Sequence, residues 1–181
     1  MPDAALLPDP SAALVTAFRR VRATRMAGLP FLNDRLDVEA VGFRPWKAHW
    51  LGALVTPWFM NLVVAPRDGA QWRPLPPGDK RRYAFPAGDY DFVSAHEEGV
   101  GPFFACSLFS PVLEFDDQPT ARYVAAHALD ALLDPANDER AREAPAPPGP
   151  IAQVQRKLDE PMSRRDVLRG GFLPDVHGPG R

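Results

Sequence analysis

The chain has 181 residues, with 21 basic and 23 acidic side chains, a net charge of −2, one cysteine and 22 prolines. That length suits one domain with an apolar core of its own. The near-balanced charge gives no general nucleic-acid footprint, and a lone Cys106 excludes an internal disulfide and a cysteine-rich metal or iron–sulfur centre.

The N-terminal MPDAALLPDPSAA has neither the basic region nor the apolar run of a secretory signal. Residues 1–10 are Pro-rich and expected to be loose. Ser11 then stands as an N-cap before a helical pattern in which Leu14, Phe18 and Val21 recur at spacings of four and three. Arg19, Arg20, Arg22 and Arg25 occupy much of the opposite face, either as a solvated surface or as a dock for an acidic partner. Gly28-Leu29-Pro30 is expected to end the helix. Residues 36–41 partly alternate. Residues 50–56 and 59–65 are apolar runs separated at Pro57, a spacing that permits an antiparallel hairpin. Together they fall short of a membrane span, because Gly52, Thr56, Pro57 and Asn61 interrupt them. Asp68-Gly69 and Pro77-Gly78-Asp79 signal turns. Residues 88–93 alternate Asp with aromatic side chains, the period of a half-buried strand. Residues 103–109 form another strand, stopped at Ser110-Pro111. A second helix over 120–133, bracketed by Pro119 and Pro135, carries Ala121, Val124, Ala125, Ala128 and Leu132 on one stripe. Helix, adjacent short strands, helix predicts an α+β single domain over 11–140 with a mainly antiparallel sheet and flanking N- and C-terminal helices. Residues 141–150 read as a Pro-rich linker, and residues 151–181 as a disordered tail too poor in apolar content for a core.

Catalytic and metal chemistry find little support. No two of His49, His96, His127 and His177 have metal-ligand spacing. Cys106 lies among Phe103, Phe104 and Leu108, where burial would keep a thiol inert. Asp89 and Asp91 share one face of a strand and mark its wet side. No glycine pattern forms a phosphate loop. No cofactor or metal is expected. The tryptophans speak instead for binding: Trp46, Trp50, Trp58 and Trp72 are close in sequence, and Trp58 beside Pro57 is placed to anchor a protein partner.

Thr56-Pro57-Trp58-Phe59-Met60-Asn61-Leu62 resembles the HybE/HupJ-like family of [NiFe]-hydrogenase assembly chaperones. The likeness continues through Trp72-Arg73-Pro74-Leu75, Gly88-Asp89-Tyr90-Asp91-Phe92 and Cys106-Ser107-Leu108-Phe109-Ser110-Pro111, and covers roughly residues 11–135. The resemblance implies a cytoplasmic accessory protein, not an enzyme. Such a protein binds immature hydrogenase subunits, the large-subunit precursor, the small-subunit precursor with its twin-arginine signal peptide, or both. It holds them until cofactors are installed and restrains premature export. Some relatives carry a rubredoxin module; this chain has no CxxC pair and carries none. Trp58, Phe59 and Met60, with Tyr90 and Phe92 on a neighbouring strand, are the expected apolar contacts. Two other readings stay open: a stabilising subunit of the mature complex, and a small enzyme using Cys106, His96 or the Asp89/Asp91 pair.

In the tail, Ser163-Arg164-Arg165-Asp166-Val167-Leu168-Arg169 resembles a twin-arginine export motif. It lies far from the N-terminus and lacks a following apolar region, so it should not export this chain. Arg164 and Arg165 either imitate the signal of the hydrogenase small subunit and compete for its groove, or match it by chance in a basic tail. Direct membrane insertion and nucleic-acid binding are not expected.

Overall fold

In the computed structural model, which describes residues 6–141, the chain runs α1 (Ser11–Ala23), β1 (Glu39–Trp46), β2 (His49–Val55), β3 (Met60–Pro66), β4 (Lys80–Phe85), β5 (Gly88–Glu97), β6 (Gly101–Phe109) and α2 (Gln118–Leu133). Two 3-10 turns, Pro135–Asn137 and Glu139–Ala141, follow. The strands form one antiparallel sheet in the order β1-β2-β3-β6-β5-β4. The α+β class, the antiparallel sheet and the two flanking helices are as expected from sequence.

Pro10, not Ser11, holds the N-cap place of α1, and the Asp9 carboxylate accepts from the Ser11 backbone N–H and hydroxyl instead. One orphan donor of the first turn is satisfied from outside the helix. Leu14, Ala17 and Phe18 pack against Val38, Leu54, Val63, Ala65 and Phe103 on one face of the sheet, and Val21 is buried on the same helix. Leu14 is fully buried, and truncation to alanine there costs about 2–5 kcal/mol. The helix ends at Ala23, earlier than Gly28 suggested.

The opposite face packs on α2. Asp117 caps this helix by accepting from Thr120 N, and Pro119 falls inside its first turn rather than before it. A first-turn proline is tolerated because its missing N–H would have no intrahelical partner. Ala121, Ala125, Leu129, Ala131 and Leu132 face the sheet. With both faces covered, β2 and β3 are near-continuous apolar runs. Strand β5 alternates: Tyr90, Phe92 and Ser94 are buried, while Asp89, Asp91 and Val93 face water.

Strand β1 slips register between Val41 and Arg44, and Gly42 sits there with φ +64°. Such a bulge bends the strand and raises its twist. The sheet curls until the β1–β2 hairpin tip meets the far edge strand. Trp46 stacks on Phe85 of β4 at 4.3 Å between centroids and 18° between planes, and Lys47 Nζ donates to the Ala84 carbonyl at 3.4 Å.

Candidate functional site

The β2–β3 turn is built by Thr56, which is fully buried. Its hydroxyl oxygen accepts from the backbone N–H groups of Trp58 and Phe59, and its own N–H donates to the Phe59 carbonyl at 2.8 Å. A hydroxyl folded back on the backbone fixes such a turn. It aims Trp58 and Phe59 toward α1, where Phe18 lies 6.4 Å and 5.6 Å from their rings.

Asn33 joins this turn to two other segments. Its backbone N–H donates to the Pro57 carbonyl at 2.8 Å. Its side-chain amide donates to the carbonyls of Val112 at 2.9 Å and Phe115 at 2.8 Å, and its Oδ1 accepts from Arg35 N. The side chain is buried and its hydrogen bonds are made, which is what a polar group needs to be stable away from water. One residue thereby holds the segment after α1, the β2–β3 turn and the segment after β6 together at one end of the sheet.

That end displays apolar side chains. Phe31 is 43% exposed, Leu113 53% and Leu29 36%, beside the half-buried Trp58 and Phe59. Scattered exposed apolar residues need no explanation, but several on segments joined at one junction make a candidate interaction surface. Of its parts only the Ser110-Pro111 stop was read from sequence, and it identifies no anchor by itself; the Asn33-Asp34 pair is a turn signal that was missed.

The five apolar contacts expected from sequence separate into two groups. Trp58 and Phe59 lie at this end. Met60, Tyr90 and Phe92 are buried in the core against α2, because alternation turns Met60 to the face opposite Phe59. In the folded chain these three cannot act as surface anchors. The Tyr90 hydroxyl is pushed up to about 12, by burial first and then by the nearby Glu139 carboxylate, so it stays protonated at neutral pH. Arg164 and Arg165 lie outside the described residues.

The other candidates occupy structural roles. Cys106 is buried on β6. His96 pairs in register with Pro102, four residues from Cys106 along the same strand, a separation of roughly 13 Å. Asp91 is held by Arg82 and Asp89 by Arg140 at the wet face of β5. Arg82 hydrogen bonding lowers the Asp91 carboxyl below its usual range, the opposite of what a general acid requires. No group of three or more His, Cys, Asp or Glu among the described residues is placed to hold a metal ion. The arginines of α1 and the turn after it face acidic groups of this chain: Arg19 and Arg22 meet Asp37, Arg20 meets Glu98, and Arg25, beyond the helix, meets Glu97. No helix among the described residues is long and apolar enough to cross a membrane.

Residues 9–170 match the family described as [NiFe]-hydrogenase assembly, chaperone, HybE. The match runs past the 11–135 read from sequence and takes in residues 163–169. A hydrogenase expression/formation protein, HupJ, of Bradyrhizobium diazoefficiens is 39% identical over 159 residues, covering 87% of this chain and 85% of that protein. A protein of Rhodobacter capsulatus described as a probable rubredoxin, HupJ, is 43% identical over 109 residues, covering 60% of this chain and only 39% of that longer protein. The solution structure of HybE from Escherichia coli superposes with a TM-score of 0.57 at 22% identity, covering 78% of this chain and 86% of that one; it shows a shared fold.

Proposed function

The chain belongs to the HybE family of [NiFe]-hydrogenase assembly chaperones, and we propose that it holds immature hydrogenase subunits against the apolar end of its sheet. The observation that carries this reading is the exposure of Phe31, Leu113 and Leu29 around the Asn33 junction, next to Trp58 and Phe59. A holding protein must cover apolar surface of an unfinished client and then let go. Apolar contact is non-directional and tolerates an incompletely folded partner, and a small patch keeps binding reversible.

The client would be the small-subunit precursor with its twin-arginine signal peptide, the large-subunit precursor, or both, engaged in the cytoplasm before export. Residues 163–169 would compete with that signal for its binding groove and so restrain premature export. Their inclusion in the family match supports a role for this segment in the working protein. The test is affinity of the full chain for each precursor, and for the small subunit with and without its signal peptide. Tight binding to a precursor that is lost on its maturation is the expected result; equal binding to mature subunits would remove the holding role. Deleting residues 161–181 should change affinity for the signal-bearing precursor and advance its export, and unchanged affinity and timing would sink the competition idea alone.

A further inference from the structure

At the end of the sheet opposite the Asn33 junction, three buried polar atoms lack hydrogen-bond partners among the described residues: His49 Nδ1, Trp72 Nε1 and Tyr83 OH. They belong to one cluster. His49 meets Trp72 at 5.6 Å between ring centroids and Tyr83 at 5.7 Å, both edge-on. Trp46 and Phe104 complete the aromatic wall. Trp72 and Tyr83 are each only 8% exposed. A buried donor with no acceptor is costly, and native structures keep few of them without a reason.

Three features say what would satisfy these atoms. The indole N–H of Trp72 can only donate, and the Tyr83 hydroxyl can donate. Two cations stand at the rim: Lys47 Nζ lies 4.7 Å from the Trp46 ring centroid, and the Arg81 guanidinium lies 4.7 Å from that of Phe104. Burial raises the Tyr83 hydroxyl and the neighbouring Arg81 guanidinium partly offsets it, while burial and then the Arg81 and Lys47 charges lower His49. Among the described residues, the charges that act on His49 and Tyr83 are those of Arg81 and Lys47, both cations. Donors and cations with no competing anion select an anionic acceptor, and the surrounding rings select one with a flat or apolar body.

The cluster is also held in place. Asp68 accepts from Ala70, Gln71 and Trp72 backbone N–H groups, fixing the β3–β4 loop at its start. The Ser94 hydroxyl donates to the Leu75 carbonyl and fixes its middle. The hairpin tip carries a positive φ of 53° at Lys47, a non-glycine residue. Strain of that kind collects at ligand clamps and active sites. Trp46, His49 and Arg81 are half-exposed and Lys47 is exposed, so the rim of the cluster meets solvent while its donor atoms lie beneath it.

We propose that Trp72, Tyr83 and His49, with Arg81 and Lys47 at the rim, form a binding site for an organic carboxylate carried on an apolar or aromatic body. Its source is either a small free acid or the C-terminal carboxylate of a polypeptide. The site stands at the other end of the sheet from the holding surface and does not rest on it.

The test is titration of the full chain, followed by the Trp72 indole N–H resonance, with four probes: benzoate, N-acetyl-Ala-Ala-Phe with a free C-terminus, the same peptide amidated, and chloride. Saturable movement of that resonance by benzoate, by the free-acid peptide or by both is the expected result. Benzoate alone identifies a small-acid site; the free-acid peptide but not its amide identifies a chain terminus. Tyr83→Phe and Arg81→Gln should each weaken the response tenfold or more, while Tyr83→Phe leaves the melting temperature unchanged or raised. A resonance that does not move, one moved equally by chloride or by the amide, or a response that survives both substitutions overturns the proposal.

Discussion

The two ends of the sheet are unfinished in opposite ways. At the Asn33 end the buried polar groups of Asn33 and Thr56 are paired, Asn61 Oδ1 at the start of β3 has no partner among the described residues, and apolar side chains meet water. At the hairpin-tip end the aromatic rings are covered, and polar atoms are left without partners. The first deficit can be met by any surface able to cover it, because hydrophobic contact has no direction. The second needs a particular group in a particular place, because hydrogen bonds do. One end therefore suits a large, variable client, and the other a small, defined ligand.

Substitutions can break or sharpen that contrast. The largest effect belongs to Asn33→Ala, which leaves the Val112 and Phe115 carbonyls without their donor. It should cost about 3 kcal/mol in urea unfolding with an unchanged slope. A loss under about 1 kcal/mol would mean that the three segments assemble without this junction. Next comes the pair Phe31→Glu and Leu113→Glu at exposed positions. Stability should stay within about 0.5 kcal/mol, while affinity for a hydrogenase precursor falls at least about tenfold. Retained affinity would move the holding surface elsewhere. Tyr83→Phe removes a buried hydroxyl without a hydrogen-bond partner among the described residues, so its melting temperature should match or exceed the parent's, the reverse of Asn33→Ala although both are buried polar positions.

The smallest effect concerns pH. Burial raises the Glu114 carboxyl above its usual range, beside the exposed Leu113. A carboxyl raised in the folded state costs stability as pH climbs from the ordinary glutamate range through the raised value, and costs nothing below it. Glu114→Gln should therefore be slightly more stable than the parent at neutral pH and equal to it in acid. Equal stability at both would mean that Glu114 is solvated as freely folded as unfolded.

Sequence legibility also differed between regions. The helix α1 stripe of Leu14, Phe18 and Val21, the hairpin at Pro57 and the alternation of β5 were readable because each is a local period. Strand β4 was not, because Lys80, Arg81 and Arg82 hide the alternation of Tyr83 and Phe85. Leu129 was absent from the expected α2 stripe although it is fully buried. Trp58 is at a turn as expected, but Phe59, expected to open the strand, lies in that turn, and Met60, one residue on, reverses face on entering β3. The Asn33 junction and the His49–Trp72–Tyr83 cluster depend on contacts between distant segments created by the curl of the sheet, and no local pattern encodes those.

Hydrogen exchange of the full chain, alone and with a hydrogenase small-subunit or large-subunit precursor, tests the holding surface most directly. Slowed exchange at residues 29–33, 56–60 and 110–115 with either precursor is the expected result. A bound precursor that leaves all three segments unchanged would contradict a holding surface at this end of the sheet.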